Sequence, residues 1–136
     1  MCNTIHLYWI QCERIGGVTW PTSRGHLHRL CGPTKGMVVI VRIWRGWTRR
    51  EDTAEYAAYI KRTGIAAYEA TPGNRGAYLI SRDDGDRTEF VTLSFWDSRD
   101  SIEAFAGADI DEAVFYSEDD RYLIDREATV RHFVVH

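Results

Sequence analysis

The sequence predicts an α+β domain in which two helices cover one face of a four-stranded antiparallel sheet. Three observations carry this. Four short runs are rich in β-branched and aromatic residues, at Met37–Trp44, 75–82, Thr88–Trp96 and Ala128–Val135. Two helical stretches fall between the first and second and between the third and fourth of these runs. A tight turn signal, Asp83-Asp84-Gly85-Asp86, joins the middle pair. The order β-α-β-β-α-β is the ferredoxin-like, split βαβ arrangement.

Each element has a local reason. Met37 to Trp44 reads Met-Val-Val-Ile-Val-Arg-Ile-Trp, one charge in an otherwise apolar run, which suits a strand buried on both faces. Thr48 and Glu51 have capping-box spacing, so a helix is expected over 50–63 with Ala54, Ala57 and Ile60 inward, Tyr56 and Tyr59 beside them, and Gly64 ending it. Thr71-Pro72-Gly73-Asn74 is turn chemistry. In the second strand Ala77 and Leu79 face one side, Tyr78 and Ile80 the other. The third is apolar on both faces through Phe90, Val91, Leu93 and Phe95. Asp97 or Ser98 caps the second helix, which turns Ile102, Phe105 and Ala106 inward and closes at Gly107. A further helical turn is expected from Asp109, with Ile110, Ala113 and Val114. Ser117-Glu118-Asp119-Asp120 reads as a solvated acidic loop, or one that answers Arg121 or a basic patch on a partner subunit.

Two helices cover only one face of such a sheet, yet three strands are apolar on both. An exposed apolar face of that size marks an interface. The expected repair is a second copy of the chain set sheet to sheet, a homodimer whose sheets close into one barrel.

Composition bounds the rest. The 136 residues are 44% hydrophobic and 27% charged, with 20 acids against 17 bases and a net charge of −3. That is a globular balance without the basic surplus of a nucleic-acid binder. No apolar run reaches a membrane span, and the first residues lack the pattern of a secretory signal, so a cytoplasmic protein with no membrane partner is expected.

The first 36 residues differ from the remainder. They hold one acid and four bases, whereas residues 37–136 hold 19 acids and 13 bases. Cys2, Cys12, Cys31, His26 and His28 all lie there, without the paired Cys-x2-Cys of a zinc knuckle. Residues 1–36 read as a loose arm, or as upstream DNA translated from a start set too early, with Met37 the natural start of the domain at 37–136.

Several segments resemble the antibiotic biosynthesis monooxygenase family: Val41-Arg42-Ile43-Trp44, Thr71-Pro72-Gly73-Asn74-Arg75-Gly76, Leu93-Ser94-Phe95-Trp96-Asp97-Ser98 and Tyr116-Ser117-Glu118-Asp119-Asp120-Arg121. The resemblance runs from Met37 to the C-terminus and implies a dimeric α+β barrel. It also implies oxygenation by O2 of a small aromatic substrate, a phenol, hydroquinone or anthrone, with no cofactor. The alternative is a non-catalytic dimeric module that binds a small apolar ligand or a protein partner. No G-x-G-x-x-G follows a strand, so there is no dinucleotide fingerprint. Heme-degrading relatives share the fold and a pocket tryptophan that Trp96 resembles, but need an axial histidine from the second helical region. This chain has Ala113, Val114, Phe115 and Tyr116 there, and no histidine between His28 and His132.

Such a reaction needs a proton acceptor, an anion-stabilising donor and an aromatic pocket. His132, the one histidine inside an expected element, is the candidate base. Trp96 and Trp44 are candidate pocket walls, or else core packing. Tyr56, Tyr59, Tyr68 and Tyr116 are candidate donors to a substrate oxygen, or an aromatic stripe of the core. Arg42, a charge in an apolar strand, needs a partner, either Glu89 or a substrate oxygen. Asn74 and Arg75 read as turn residues first.

Overall fold

A computed structural model describes residues 38–136; the arm and the cysteine–histidine cluster lie outside the described residues. The elements are β1 (Val39–Arg49), a 3-10 turn (Arg50–Asp52), α1 (Thr53–Ile60), a π-turn (Lys61–Ile65), α2 (Ala66–Ala70), β2 (Asn74–Asp84), β3 (Arg87–Trp96), α3 (Arg99–Ala106), α4 (Asp119–Tyr122), β4 (Leu123–Arg126) and β5 (Arg131–Val135). The sheet is antiparallel in the order β2-β3-β1-β4, with β5 also on β1. This is the expected ferredoxin-like α+β fold, with one strand more than the four anticipated.

The extra strand comes from a break. β4 pairs with Gly46–Thr48 and β5 with Val39–Ile43, so the two lie end to end along the same edge of β1. Between them Glu127 still donates its N–H to the Arg45 carbonyl of β1, and residues 128–130 then leave β1 and bond elsewhere. Ala113 N–H donates to the Ala128 carbonyl and Val130 N–H to the Asp111 carbonyl, and Glu112 bridges Thr129. The segment after α3, expected as a helical turn from Asp109, therefore runs as a bridged loop against this break. The single strand expected over Ala128–Val135 starts three residues late because those residues are occupied with that loop.

The first helical region also departs from expectation. Thr48 is no cap; it is fully buried in β1, with its hydroxyl donating to the Arg49 carbonyl. Helical structure does not stop at Gly64 but passes through it as a π-turn and continues to Ala70. The inward face is Tyr56, Tyr59 and Ile60, while Ala54 is exposed. The tyrosines are thus the core of this helix rather than its flanks: Tyr56 packs edge-on to Phe90 at 5.0 Å and against Tyr122 at 5.6 Å. A second cluster gathers Ile65, Tyr68, Trp96 and Ile102.

Local chemistry elsewhere acts as the sequence indicates. The hairpin turns at Gly85-Asp86, and the Ser98 side chain accepts the Ser101 N–H to cap α3. Cross-strand register assigns the faces. Arg42 opposes Ser94 and His132, Trp44 opposes Thr92, and Gly46 opposes Phe90 on the helix side. On the outer side Val41 opposes Phe95 and Phe133, and Ile43 opposes Leu93, which opposes Tyr78. Tyr78, Ile80, Phe133 and Val135 stand roughly half exposed there.

A candidate cavity between sheet and helices

Arg42 projects from the middle of β1 to the helix side and is only 1% exposed. Glu89 is not its partner. That carboxylate lies on the outer face, where it is held by Arg45 and Arg82. No carboxylate among the described residues pairs with Arg42. Its guanidinium donates instead to the backbone carbonyls of Ile110 and Glu112, the latter at 2.7 Å. Its Nη1 lies 3.4 Å from His132 Nε2. A buried arginine stays charged, and neutral carbonyls solvate it without neutralising it. Burial works to lower its pKa, and the nearby Tyr68, Asp111 and Tyr116 work against that.

The guanidinium borders a small cavity. Its walls are Arg42 and Trp44 from β1, Thr92 from β3, Tyr56 and Ile60 from α1, Gly64 and Tyr68 from the helical continuation, Val114 and Tyr116 from the loop, Asp119 from α4, and Val130 from the break before β5. The volume is about 20 Å³, room for a single water-sized group. Two glycines set its shape by close approach. A Cβ on Gly46 would collide with the Trp44 ring, so that ring lies across bare backbone. A Cβ on Gly64 would stand 2.9 Å from Ile60 Cδ1 and 3.4 Å from Tyr116 Cε2, narrowing the space. Trp44 is thereby a mid-strand wall, not the strand terminus expected, and its Nε1 donates to the Glu127 carbonyl at 2.8 Å.

Four residues of this wall carry a buried polar atom with no hydrogen-bond partner: Arg42 Nε, Tyr56 Oη, Thr92 Oγ1 and Asp119 Oδ1. None of the four is more than 3% exposed. Buried polar groups are paired in nine cases of ten or more, and here four unpaired atoms border one space that holds a single water-sized group. Asp119 is the surprise. The acidic run expected to be solvated turns this one carboxylate inward. Its Oδ2 accepts the Tyr116 N–H at 2.6 Å while Oδ1 stays free. Burial raises its pKa above the ordinary aspartate value, against the pull of that backbone hydrogen bond. Burial likewise raises Tyr116 to about 12 and pushes Tyr56 up strongly, so both are donors at neutral pH.

The cavity gathers five of the eight residues singled out in the sequence: Arg42, Trp44, Tyr56, Tyr68 and Tyr116. Three lie outside it. Trp96 is fully buried in the second cluster, with Nε1 donating to Ser94 Oγ at 2.9 Å. Tyr59 accepts the Glu118 N–H on its hydroxyl. His132 stands behind Arg42, with Nδ1 3.1 Å from Asp111 Oδ1. Sequence reasoning missed Thr92 and Asp119. Thr92 alternates with apolar neighbours like any half-buried strand threonine, and Asp119 is one acid among three.

Comparison with known proteins places this frame. Residues 37–110, more than half of the chain, match the antibiotic biosynthesis monooxygenase family. The chain belongs to that family. Among solved structures it is similar to Rv0793 from Mycobacterium tuberculosis, at 20% identity over 72% of this chain and 93% of that one, with a TM-score of 0.46. No curated protein matches. The family match covers the sheet and helical walls of the cavity and ends before Val114, Tyr116, Asp119 and Val130. Among the described residues no helix is long and apolar enough to cross a membrane.

His132 gives a prediction. Burial lowers its pKa, the Arg42 cation lowers it further, and Asp111 opposes both. The unfolded chain, with a histidine pKa near ~6.5, then binds a proton that the folded chain refuses. Its contribution to stability is complete above pH ~6.5 and is lost as pH falls towards the depressed folded value. The melting temperature of the unmodified chain should fall more steeply between pH ~7 and ~5 than that of His132→Gln. Equal slopes would contradict the assignment.

Proposed function

We propose that the cavity binds the acidic hydroxyl of a small aromatic molecule, and that the protein is a cofactor-independent monooxygenase of phenols, hydroquinones or anthrones. The observation that carries this reading is the ring of four buried polar atoms without a partner among the described residues, one of them on a guanidinium that no described carboxylate pairs. Each such atom costs about 1–3 kcal/mol when left unsatisfied, and a ligand oxygen relieves that cost.

In this reaction the substrate loses its hydroxyl proton and Arg42 stabilises the resulting anion, a role worth most in a site without water. The electron-rich anion passes one electron to O2, and the substrate radical and superoxide combine at a ring carbon. A C–H bond becomes a carbonyl, one oxygen atom enters the product, and the other leaves as water with the two hydrogens removed. For a phenol going to a quinone, this balances without an external reductant. The tyrosines and Thr92 hold the oxygen in place, and Trp44 packs on the ring.

The cavity as folded takes one oxygen-sized group, so a ring enters only when the wall at residues 113–116 swings aside. That segment is irregular, and Phe115 on it is 38% exposed, resting edge-on to Trp44 at 6.2 Å. The small volume favours the second reading, a binding module without chemistry. The two separate by oxygen uptake. Purified, metal-free protein should consume O2 above the spontaneous rate with at least one of a panel of anthrones and hydroquinones, and Gly64→Ala should reduce that uptake by narrowing the cavity. A folded protein that accelerates uptake with none of the panel is the module.

The outer face completes the proposal. Tyr78, Ile80, Phe133 and Val135 surround half-buried Val91, Leu93 and Phe95, and this apolar patch borders the Arg45–Glu89–Arg82 ion network. An apolar face of this kind is covered in solution, and a second copy meeting it sheet to sheet supplies matching residues by symmetry. Light scattering should give twice the chain mass for the unmodified protein and a monomer for Phe133→Asp, Ile80→Asp. A monomeric unmodified protein would remove the barrel.

A further inference from the structure

A phenol bound as its anion at Arg42 needs an acceptor for its proton. Arg42 has no lone pair to offer. The hydroxyls of Tyr56 and Tyr116 remain protonated, and Thr92 is neutral. His132 does not line the cavity, and both its nitrogens face other groups, Nδ1 the Asp111 carboxylate and Nε2 the Arg42 guanidinium. Among the described residues one carboxylate belongs to the cavity wall, that of Asp119.

Its setting is specific. The Asp119 N–H donates to the Tyr116 carbonyl at 3.0 Å while Oδ2 accepts the Tyr116 N–H at 2.6 Å, so the side chain is fixed by a reciprocal backbone pair. That pair uses one oxygen and leaves the other, buried and unpartnered, at the cavity. Asp119 opens α4, beyond residues 37–110 that match the family model.

We propose that Asp119 is the proton acceptor of the site: the ligand's O–H bond breaks, its proton passes to Asp119 Oδ1, and the electron pair stays on the ligand oxygen facing Arg42. No electron changes hands, and the net charge of the cavity is unchanged. The ligand class follows: an acidic hydroxyl on a planar ring, bound as its anion between a guanidinium and a newly neutral carboxylic acid. Ligands that are already anionic carboxylates are disfavoured, because they would meet the Asp119 charge with no proton to share. The raised Asp119 pKa agrees with this role, since a stronger base is matched better to a phenol. The groups that act on Asp119 are Tyr116 on the loop, Tyr56 on α1, Asp120 on α4 and Arg126 on β4, while Arg42 on β1 shares the cavity wall. Arg126 is itself paired with Asp120 at 2.8 Å.

This inference rests on the cavity being a phenol site, and the test keeps the two apart. The probe is 4-nitrophenol, whose anion alone absorbs in the visible, added to the full chain slightly below the pH at which the free phenol ionises. The unmodified protein should bind it as the anion without releasing a proton to the medium. Binding should also bring up the infrared C=O band of a protonated carboxylic acid. Asp119→Asn keeps an acceptor for the Tyr116 N–H and should bind the same phenol in its neutral form, with the bound anion reduced about tenfold or more, the equivalent of one pKa unit. An undiminished anion band in that variant, or no carboxylic acid band on binding to the unmodified protein, overturns the role of Asp119 while leaving the site in place. The infrared arm stands even if the variant does not fold. If 4-nitrophenol binds neither protein, the reading of the cavity itself fails, and this inference with it.

Discussion

A guanidinium buried under the middle of the sheet, with no acid paired to it among the described residues, is the constraint around which this domain is arranged. Placing a charge in a low-dielectric interior costs several kcal/mol unless the surroundings supply hydrogen bonds. Here Arg42 draws two backbone carbonyls, those of Ile110 and Glu112, and that requirement brings the loop after α3 down onto the sheet. The loop in turn needs partners for its own backbone. It finds them in residues 128–130, which leave the edge of β1 and divide the final strand into β4 and β5. The broken strand, the non-helical loop and the position of His132 behind the arginine all meet at this one buried charge.

The same arrangement makes the cavity. Carbonyl dipoles solvate Arg42 without cancelling its charge, and Nε is left over. Residues that complete the space arrive from every layer: Thr92 from the neighbouring strand, Tyr56 from the covering helix, Asp119 from the short helix after the loop. A positive and an acidic group thus border one small volume without being joined as a salt bridge. The arrangement suits a ligand that can give up a proton on one side and keep the negative charge on the other.

The frame was legible in the sequence where local physics decides it. The Asp83-Asp84-Gly85-Asp86 turn, the Ser98 cap and the alternation of Tyr78 and Ile80 against Ala77 and Leu79 need only neighbours a few residues away. What was not legible depends on distant residues. Gly64 reads as a helix stop, yet the backbone continues through it as a π-turn, because the following Ile65 and Tyr68 gain burial against Trp96. The last strand reads as continuous, since nothing in Ala128–Val130 announces that those residues bond to a loop at 111–113. Five of the eight candidate site residues meet at the cavity because strand and helix periodicity, with a search for tyrosines, tryptophans and an odd charge, can find side chains on a helix-facing surface. Asp119 could not be found that way. Within Glu118-Asp119-Asp120 the sequence favours solvent for all three, and only the fold turns the middle one inward.

The most direct test of the claim that this cavity is the ligand site is a crystal of the protein soaked with 4-bromophenol, read by bromine anomalous scattering. The account predicts one peak beside Trp44 between sheet and helices, with the phenol oxygen within hydrogen-bond distance of Arg42 Nε and Asp119 Oδ1 and residues 113–116 displaced. A peak confined to the outer apolar face, or none in the cavity with Arg42 still held by the Ile110 and Glu112 carbonyls, would contradict it.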